Sequence, residues 1–134
     1  MDETEVRRRL SEARVARLAT VTADGAAHVV PCCFAVEGDT ILTAVDGKPK
    51  STTALKRLAN IEAHPGVSLV VDHYEDDWDR LWWVRVDGRA RIVRSGPERE
   101  RALDALAAKY PQYQEVRPPG AVIVVEDLTW RSWP

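Results

Sequence analysis

The sequence predicts a mainly β domain, an antiparallel barrel of about six strands with two or three helices. Three observations predict it. Apolar and β-branched stretches alternate with a period of two, turn dipeptides such as Asp24-Gly25 and Gly38-Asp39 separate them, and helical periodicity is confined to a few places. A doubly wound parallel sheet would require a helix after nearly every strand, and the pattern does not supply them.

The elements follow in chain order. An opening amphipathic helix is marked by Thr4 as N-cap and by Val6, Leu10 and Ala13 at helical spacing. Val15 to Thr22 alternates as a strand, Asp24-Gly25 is a hairpin turn, and Ala27 to Val36 resumes the strand, with Pro31 tolerable only at an edge or bulge. Gly38-Asp39 then turns the chain into a third strand, Thr40 to Val45, so the first part reads as a meander. Between Asp46 and His64 the period changes: Gly47 and Pro49 make a turn, Ser51 caps, and Ala54, Leu55, Leu58, Ala59 and Ile61 form a helical stripe ended by Pro65-Gly66. Val67 to Tyr74 is an almost continuous apolar strand before the acidic turn Glu75-Asp76-Asp77. Trp82 to Val93 alternates along its length and bends at Gly88, with Val84, Val86, Ala90 and Ile92 on one face and Arg85, Asp87, Arg89 and Arg91 on the other. Pro97 opens a helix over Glu98 to Tyr110 with Ala102, Leu103, Leu106 and Ala107 as its stripe, and Pro111 stops it. Pro118-Pro119-Gly120 leads into a last strand, Ala121 to Leu128, with Trp130 and Trp133 beyond it.

Composition narrows the function classes. Residues 1–134 make one domain, 45% hydrophobic and 30% charged, large enough to bury a core. Lys and Arg number 19 against 21 Asp and Glu, so there is no basic field to attract nucleic acid, and any anion site must be local. No apolar run reaches the roughly 18 residues of a membrane helix, and Met1 to Leu10 is charged, so a cytoplasmic protein with no membrane partner is expected. The two cysteines, Cys32 and Cys33, are adjacent; neighbours on a strand face opposite ways, so they read as reduced thiols. No His or Cys stands at metal-ligand spacing from them, and no metal site is expected.

The strongest functional signal is Gly47-Lys48-Pro49-Lys50-Ser51-Thr52-Thr53. It gathers two ammonium groups, several hydroxyls and the free N–H groups of a helix start, all acting with the same sign on a phosphate. It lacks the spacing of a P-loop, and a solvated turn whose serine merely caps a helix is the alternative. No Ser-His-Asp or Cys-His arrangement argues for hydrolysis.

The order Ala16-Arg17-Leu18-Ala19-Thr20-Val21-Thr22-Ala23-Asp24-Gly25, then His28-Val29-Val30-Pro31, then Gly47 to Thr52 and Asn60 to Pro65, resembles the pyridoxamine-phosphate-oxidase-like proteins, the FMN-binding split β-barrels. The resemblance covers nearly the whole chain. The short length and the Lys-Pro-Lys-Ser turn are most similar to the actinobacterial members that use the deazaflavin coenzyme F-420 in place of FMN. The resemblance implies a homodimer with two cofactor sites at the subunit interface. It assigns Lys48, Lys50, Ser51 and Thr52 to the cofactor phosphate, and Val30, Pro31 and Cys32 to the strand under the tricyclic ring. His28 is either part of that strand's site or a surface histidine. Trp78, Trp82 and Trp83 either stack on ring or substrate, or pack in core or interface; Trp78 is the candidate for the cofactor. Arg85, Arg89 and Arg91 meet solvent, the acidic Asp72 to Asp79 segment or an anionic cofactor tail, and Arg8, Arg9 and Arg14 are further candidates for that tail.

The implied chemistry is hydride transfer from reduced deazaflavin to an unsaturated small-molecule substrate, an oxidoreductase in which the cofactor carries the reaction. No residue is an obvious general acid, although Tyr74, His28 and His73 are each able to donate a proton. Two other readings stay open: an FMN-binding oxidoreductase of the same fold, and a non-catalytic cofactor carrier. Pyridoxamine phosphate oxidase activity itself is not expected, because 134 residues leave no room for that enzyme's C-terminal substrate-binding extension.

Overall fold

The computed structural model describes residues 1–45 and 52–134, with the side chains of the second stretch from residue 55 onward. Its elements are α1 (Glu3–Glu12), β1 (Ala16–Val21), β2 (Ala27–Cys32), β3 (Ala35–Glu37), β4 (Thr40–Ala44), α2 (Thr52–Ala63) and β5 (Gly66–His73), followed by a 3-10 turn (Trp78–Arg80), β6 (Trp82–Val93), α3 (Pro97–Lys109), α4 (Pro111–Glu115) and β7 (Val122–Trp133). The described residues thus hold seven strands and four helices, against the expected six and two or three.

All strand pairs are antiparallel, in the order β2-β1-β5-β6-β7-β4-β3. The expected opening meander is not formed. Ala27 to Val36 is not one strand: β2 and β3 end at opposite edges of the sheet, joined only by Cys33 and Phe34. Three residue steps span at most about 11 Å, so the sheet curls until its edges nearly meet. Among the described residues no ladder joins those edges, and the sheet is not closed.

The break has a specific cause. Phe34, fully buried, takes its backbone out of the ladder: its N–H donates to the Tyr110 hydroxyl at 3.1 Å, and that hydroxyl donates to the Arg14 carbonyl at 2.9 Å. The neighbouring Cys33 carbonyl accepts from the Thr43 hydroxyl at 2.7 Å. Side chains from α3's end and from β4 therefore satisfy the groups that strand pairing would otherwise use.

Two apolar clusters flank the sheet. One, inside the curl, joins Leu18, Leu69, Val84, Val86, Ile123 and Val125 with Val6 and Leu10 of α1 and Leu58 and Ile61 of α2. The other packs Leu103 and Leu106 of α3 on Leu42, Val122 and Val124. β7 is buried on both faces from Val122 to Val125 because it lies between the two clusters, which hides the alternation expected of a half-exposed strand.

Several ends differ from expectation. Asp2, not Thr4, caps α1, accepting from the Glu5 N–H at 2.8 Å. Pro111 stops α3 but also starts α4, where its fixed φ suits a first helical position. Leu55, expected on the buried stripe of α2, is 66% exposed. β7 runs on to Trp133 because Trp130 and Trp133 pair with Val86 and Trp83 of β6.

Gly88 of β6 faces a bulge in β7, where Asp127 and Leu128 stand opposite this single residue. A Cβ on Gly88 would stand 2.7 Å from the Glu126 carbonyl oxygen and 2.7 Å from a Val125 methyl, and a backbone oxygen, unlike the end of a flexible side chain, does not shift cheaply. Gly88→Ala is accordingly expected to cost about 1–3 kcal/mol, read as a lower urea midpoint at unchanged slope.

Candidate cofactor site

The β1–β2 hairpin sets which groups β2 offers. At its turn Gly25 has φ +89, and Thr22 N–H donates to the Ala26 carbonyl at 2.9 Å, making Thr22 and Ala26 a hydrogen-bonded pair. Counting along the register, such pairs alternate, so His28, Val30 and Cys32 bond toward β1 while Ala27, Val29 and Pro31 turn their backbone groups to the free edge. Pro31 therefore removes no ladder bond.

Side chains follow a related parity. His28, Val30 and Cys32 share a face with buried Thr20, Leu18 and Ala16, whereas Val29, 60% exposed, and Pro31 face outward. Of the three residues assigned to the ring, Val30 and Cys32 are thus on the inner face and Pro31 on the outer one. Burial pushes the Cys32 thiol up, so it stays protonated. Both cysteines are free.

α2 lies over the inner face, pinned where Asn60 donates to the Thr20 hydroxyl at 3.1 Å, both residues buried. Thr20 pairs with His28, and Arg57 stands one helical turn before Asn60. Here two buried polar atoms, His28 Nδ1 and Arg57 Nε, have no hydrogen-bond partner among the described residues. Buried polar atoms are normally satisfied; a third one without a partner among the described residues, Arg9 Nε, lies at the locus beside α1. Arg57 was not singled out in the sequence; its helical spacing to Asn60 offered no signal without the strand beneath. Lys48, Lys50 and Ser51 lie outside the described residues, and Thr52 opens α2.

A second polar locus adjoins α1. His73 and Trp82 are register partners at the β5–β6 end; their rings stack at 6.4 Å and 16°, and the Arg9 guanidinium lies 4.4 Å over the Trp82 ring. Two cavities of about 450 and 210 Å3 share these three side chains, with Arg80 lining one and Arg14 and Arg17 the other. His73 Nε2 is 2.5 Å from the Glu75 carboxylate. Trp78 is 68% exposed on the 3-10 turn and lines neither cavity. Trp83 faces away from Trp82 and pairs with Trp133 on the outer face. Two of the three arginines of β6 are drawn to carboxylates, Arg85 to Asp87 at 3.1 Å and Arg91 to Glu98 at 2.6 Å and Glu126 at 3.2 Å, contacts that raise the Arg91 pKa, whereas Arg89 has no carboxylate partner among the described residues.

At the β2–β3 crossing, the Lys109 ammonium sits 4.0 Å over the Phe34 ring. Burial, aided by repulsion from Arg14, lowers its pKa from 10.5 to about 8. Between these values the folded chain has released a proton that the unfolded chain still holds, so Lys109's contribution to stability rises with pH across that window, and its cost is fully present below about 8. Lys109→Gln is expected to flatten this rise, compared as urea midpoints near pH 7 and about pH 9.5.

The curled open sheet, the free β2 edge and the helix over its inner face define a split-barrel protein. The chain belongs to the pyridoxamine 5'-phosphate oxidase family, whose model matches residues 2–134. Among solved structures it is similar to a conserved hypothetical protein from Mycobacterium tuberculosis, 24% identical with a TM-score of 0.80 over 99% of this chain and 84% of that one. It is also similar to an FAD binding protein from Mycobacterium smegmatis (21%, TM-score 0.60, 99% and 96%) and to HutZ, the heme storage protein from Vibrio cholerae (17%, TM-score 0.75, 98% and 92%). No curated protein sequence matches the chain. No helix among the described residues is long and apolar enough to cross a membrane.

Proposed function

We propose that this protein is a deazaflavin-dependent oxidoreductase that binds coenzyme F-420 beside β2 and α2 and reduces an unsaturated organic substrate. The observation that carries the reading is that His28 Nδ1 on β2 and Arg57 Nε on α2 are each buried with no hydrogen-bond partner among the described residues. Family membership across residues 2–134 supports it.

In this reading Lys48, Lys50, Ser51 and Thr52 hold the cofactor phosphate at the start of α2, where helix dipole and ammonium groups act together. The free edge of β2 offers the Val29 N–H and the Val29 and Pro31 carbonyls, while Val30 and Cys32 keep the adjoining space apolar and dry. Arg9, Arg14 and Arg17 supply positive charge suited to an acidic tail. Among the three side chains able to donate a proton, His28 alone keeps a buried unpartnered nitrogen; His73 is engaged by Glu75 and Tyr74 is exposed. When bound, the deazaflavin supplies a two-electron hydride donor. The protein works as a homodimer: Val29, Trp83 and Trp133 are large exposed apolar side chains on the outer face, suited to a second copy. Sedimentation reading a monomer with full cofactor affinity would remove the dimer from this account.

Arg57→Leu is expected to weaken F-420 binding by about tenfold or more, the usual worth of a hydrogen bond to a charged group. Unchanged affinity would withdraw Arg57 and the site built on it.

A further inference from the structure

Where α1 crosses the β3–β4 hairpin there is a cavity of about 400 Å3, inside the range of about 300–1,000 Å3 usual for small-molecule sites. Its floor is apolar. Leu10 of α1, Ile41 of β4 and Val86 of β6 are buried there, and the partly buried indole of Trp130 forms one wall. The rim is acidic, with the carboxylates of Glu3, Asp39 and Asp127 against the single cation Arg7.

Arg7 is already committed. It donates to the Asp39 carboxylate and to the Gly38 carbonyl, each at 2.8 Å, and stands 3.4 Å from Glu3. Asp127 makes no hydrogen bond or ion pair among the described residues. It belongs to the β7 bulge opposite Gly88 and has φ 55, a left-handed conformation that Asp and Asn tolerate better than other side chains.

The geometry points to a second ligand site, one for a small organic cation: an aromatic or compact aliphatic amine whose body rests on Ile41 and Trp130 and whose ammonium meets Asp127. Three carboxylates disfavour an anion, and the exposed Asp127 carboxylate at the mouth of the cavity is left for an incoming cation to meet. An ammonium gains a charge-assisted hydrogen bond from the carboxylate and a cation–π contact from the indole. Among the described residues the lining shares none with β2 or α2, so the site stands apart from the proposed cofactor site.

The test is calorimetric titration of the full chain with 2-phenylethylammonium, with 2-phenylethanol and phenylacetate as its neutral and anionic counterparts. The amine is expected to bind, the alcohol at least about tenfold more weakly, and phenylacetate not at all. Asp127→Asn keeps a side chain suited to the same backbone and removes only the charge. It should weaken the amine by about tenfold or more, leave the alcohol unchanged and leave F-420 binding untouched, so this site and the cofactor site fail or stand separately. Val36→Phe, which places a ring at the lining, should abolish binding of amine and alcohol alike. Equal affinity for the three probes, no amine binding at millimolar concentration, or amine binding indifferent to Asp127→Asn would overturn the proposal.

Discussion

Phe34→Ala is expected to lower the unfolding free energy by about 3–5 kcal/mol, measured by urea unfolding with fluorescence detection. Phe34 heads the largest fully buried side chains, and it lies where the chain passes from one sheet edge to the other. Its ring packs in the cluster within the curl and carries the Lys109 ammonium on its face. Truncation would leave a cavity at the one covalent crossing between β2 and β3, lined by groups held in place by Tyr110 and Thr43. The surroundings therefore have little freedom to collapse, which places the cost at the upper end for a buried aromatic. A loss below about 1 kcal/mol would mean that the crossing is not packed as described.

The second large effect concerns the cofactor. Replacing Lys48 and Lys50 together by Ala is expected to weaken F-420 binding by more than about a hundredfold, since each charge-assisted hydrogen bond is worth about 1.5–3 kcal/mol. The single Lys50→Ala change should account for roughly half of that free energy, if the two act independently. Rising salt should weaken the wild-type protein more than the double variant, because the lost contacts are electrostatic. An affinity unchanged in the double variant would return this stretch to the solvated-turn reading.

The sequence was most legible where one periodicity ran without interruption. β6 has the bounds expected of it because Trp82 to Val93 alternates throughout, and its bend falls at Gly88. The division of β2 from β3 was illegible for a physical reason. The apolar run continues unbroken from Cys32 through Cys33 and Phe34 to Val36, and what removes Phe34 from the ladder is a hydroxyl 76 residues further on. The order β1-β5 and β4-β7 likewise depends on long-range pairing that local turn signals do not encode. At the candidate site, strand parity divides the assigned residues: Val30 and Cys32 share the inner face with His28, and Pro31 faces outward. Arg57 and the Arg9–Trp82–His73 stack became visible only when a helix was laid against strands, as tertiary contacts require.

The central claim is that the site beside β2 and α2 takes a deazaflavin. Titrating the purified protein side by side with F-420 and with FMN, followed by quenching of its five tryptophans, tests it most directly. The account predicts tighter binding of F-420, lost in the Lys48/Lys50 double variant; preference for FMN, or binding of neither, would contradict it.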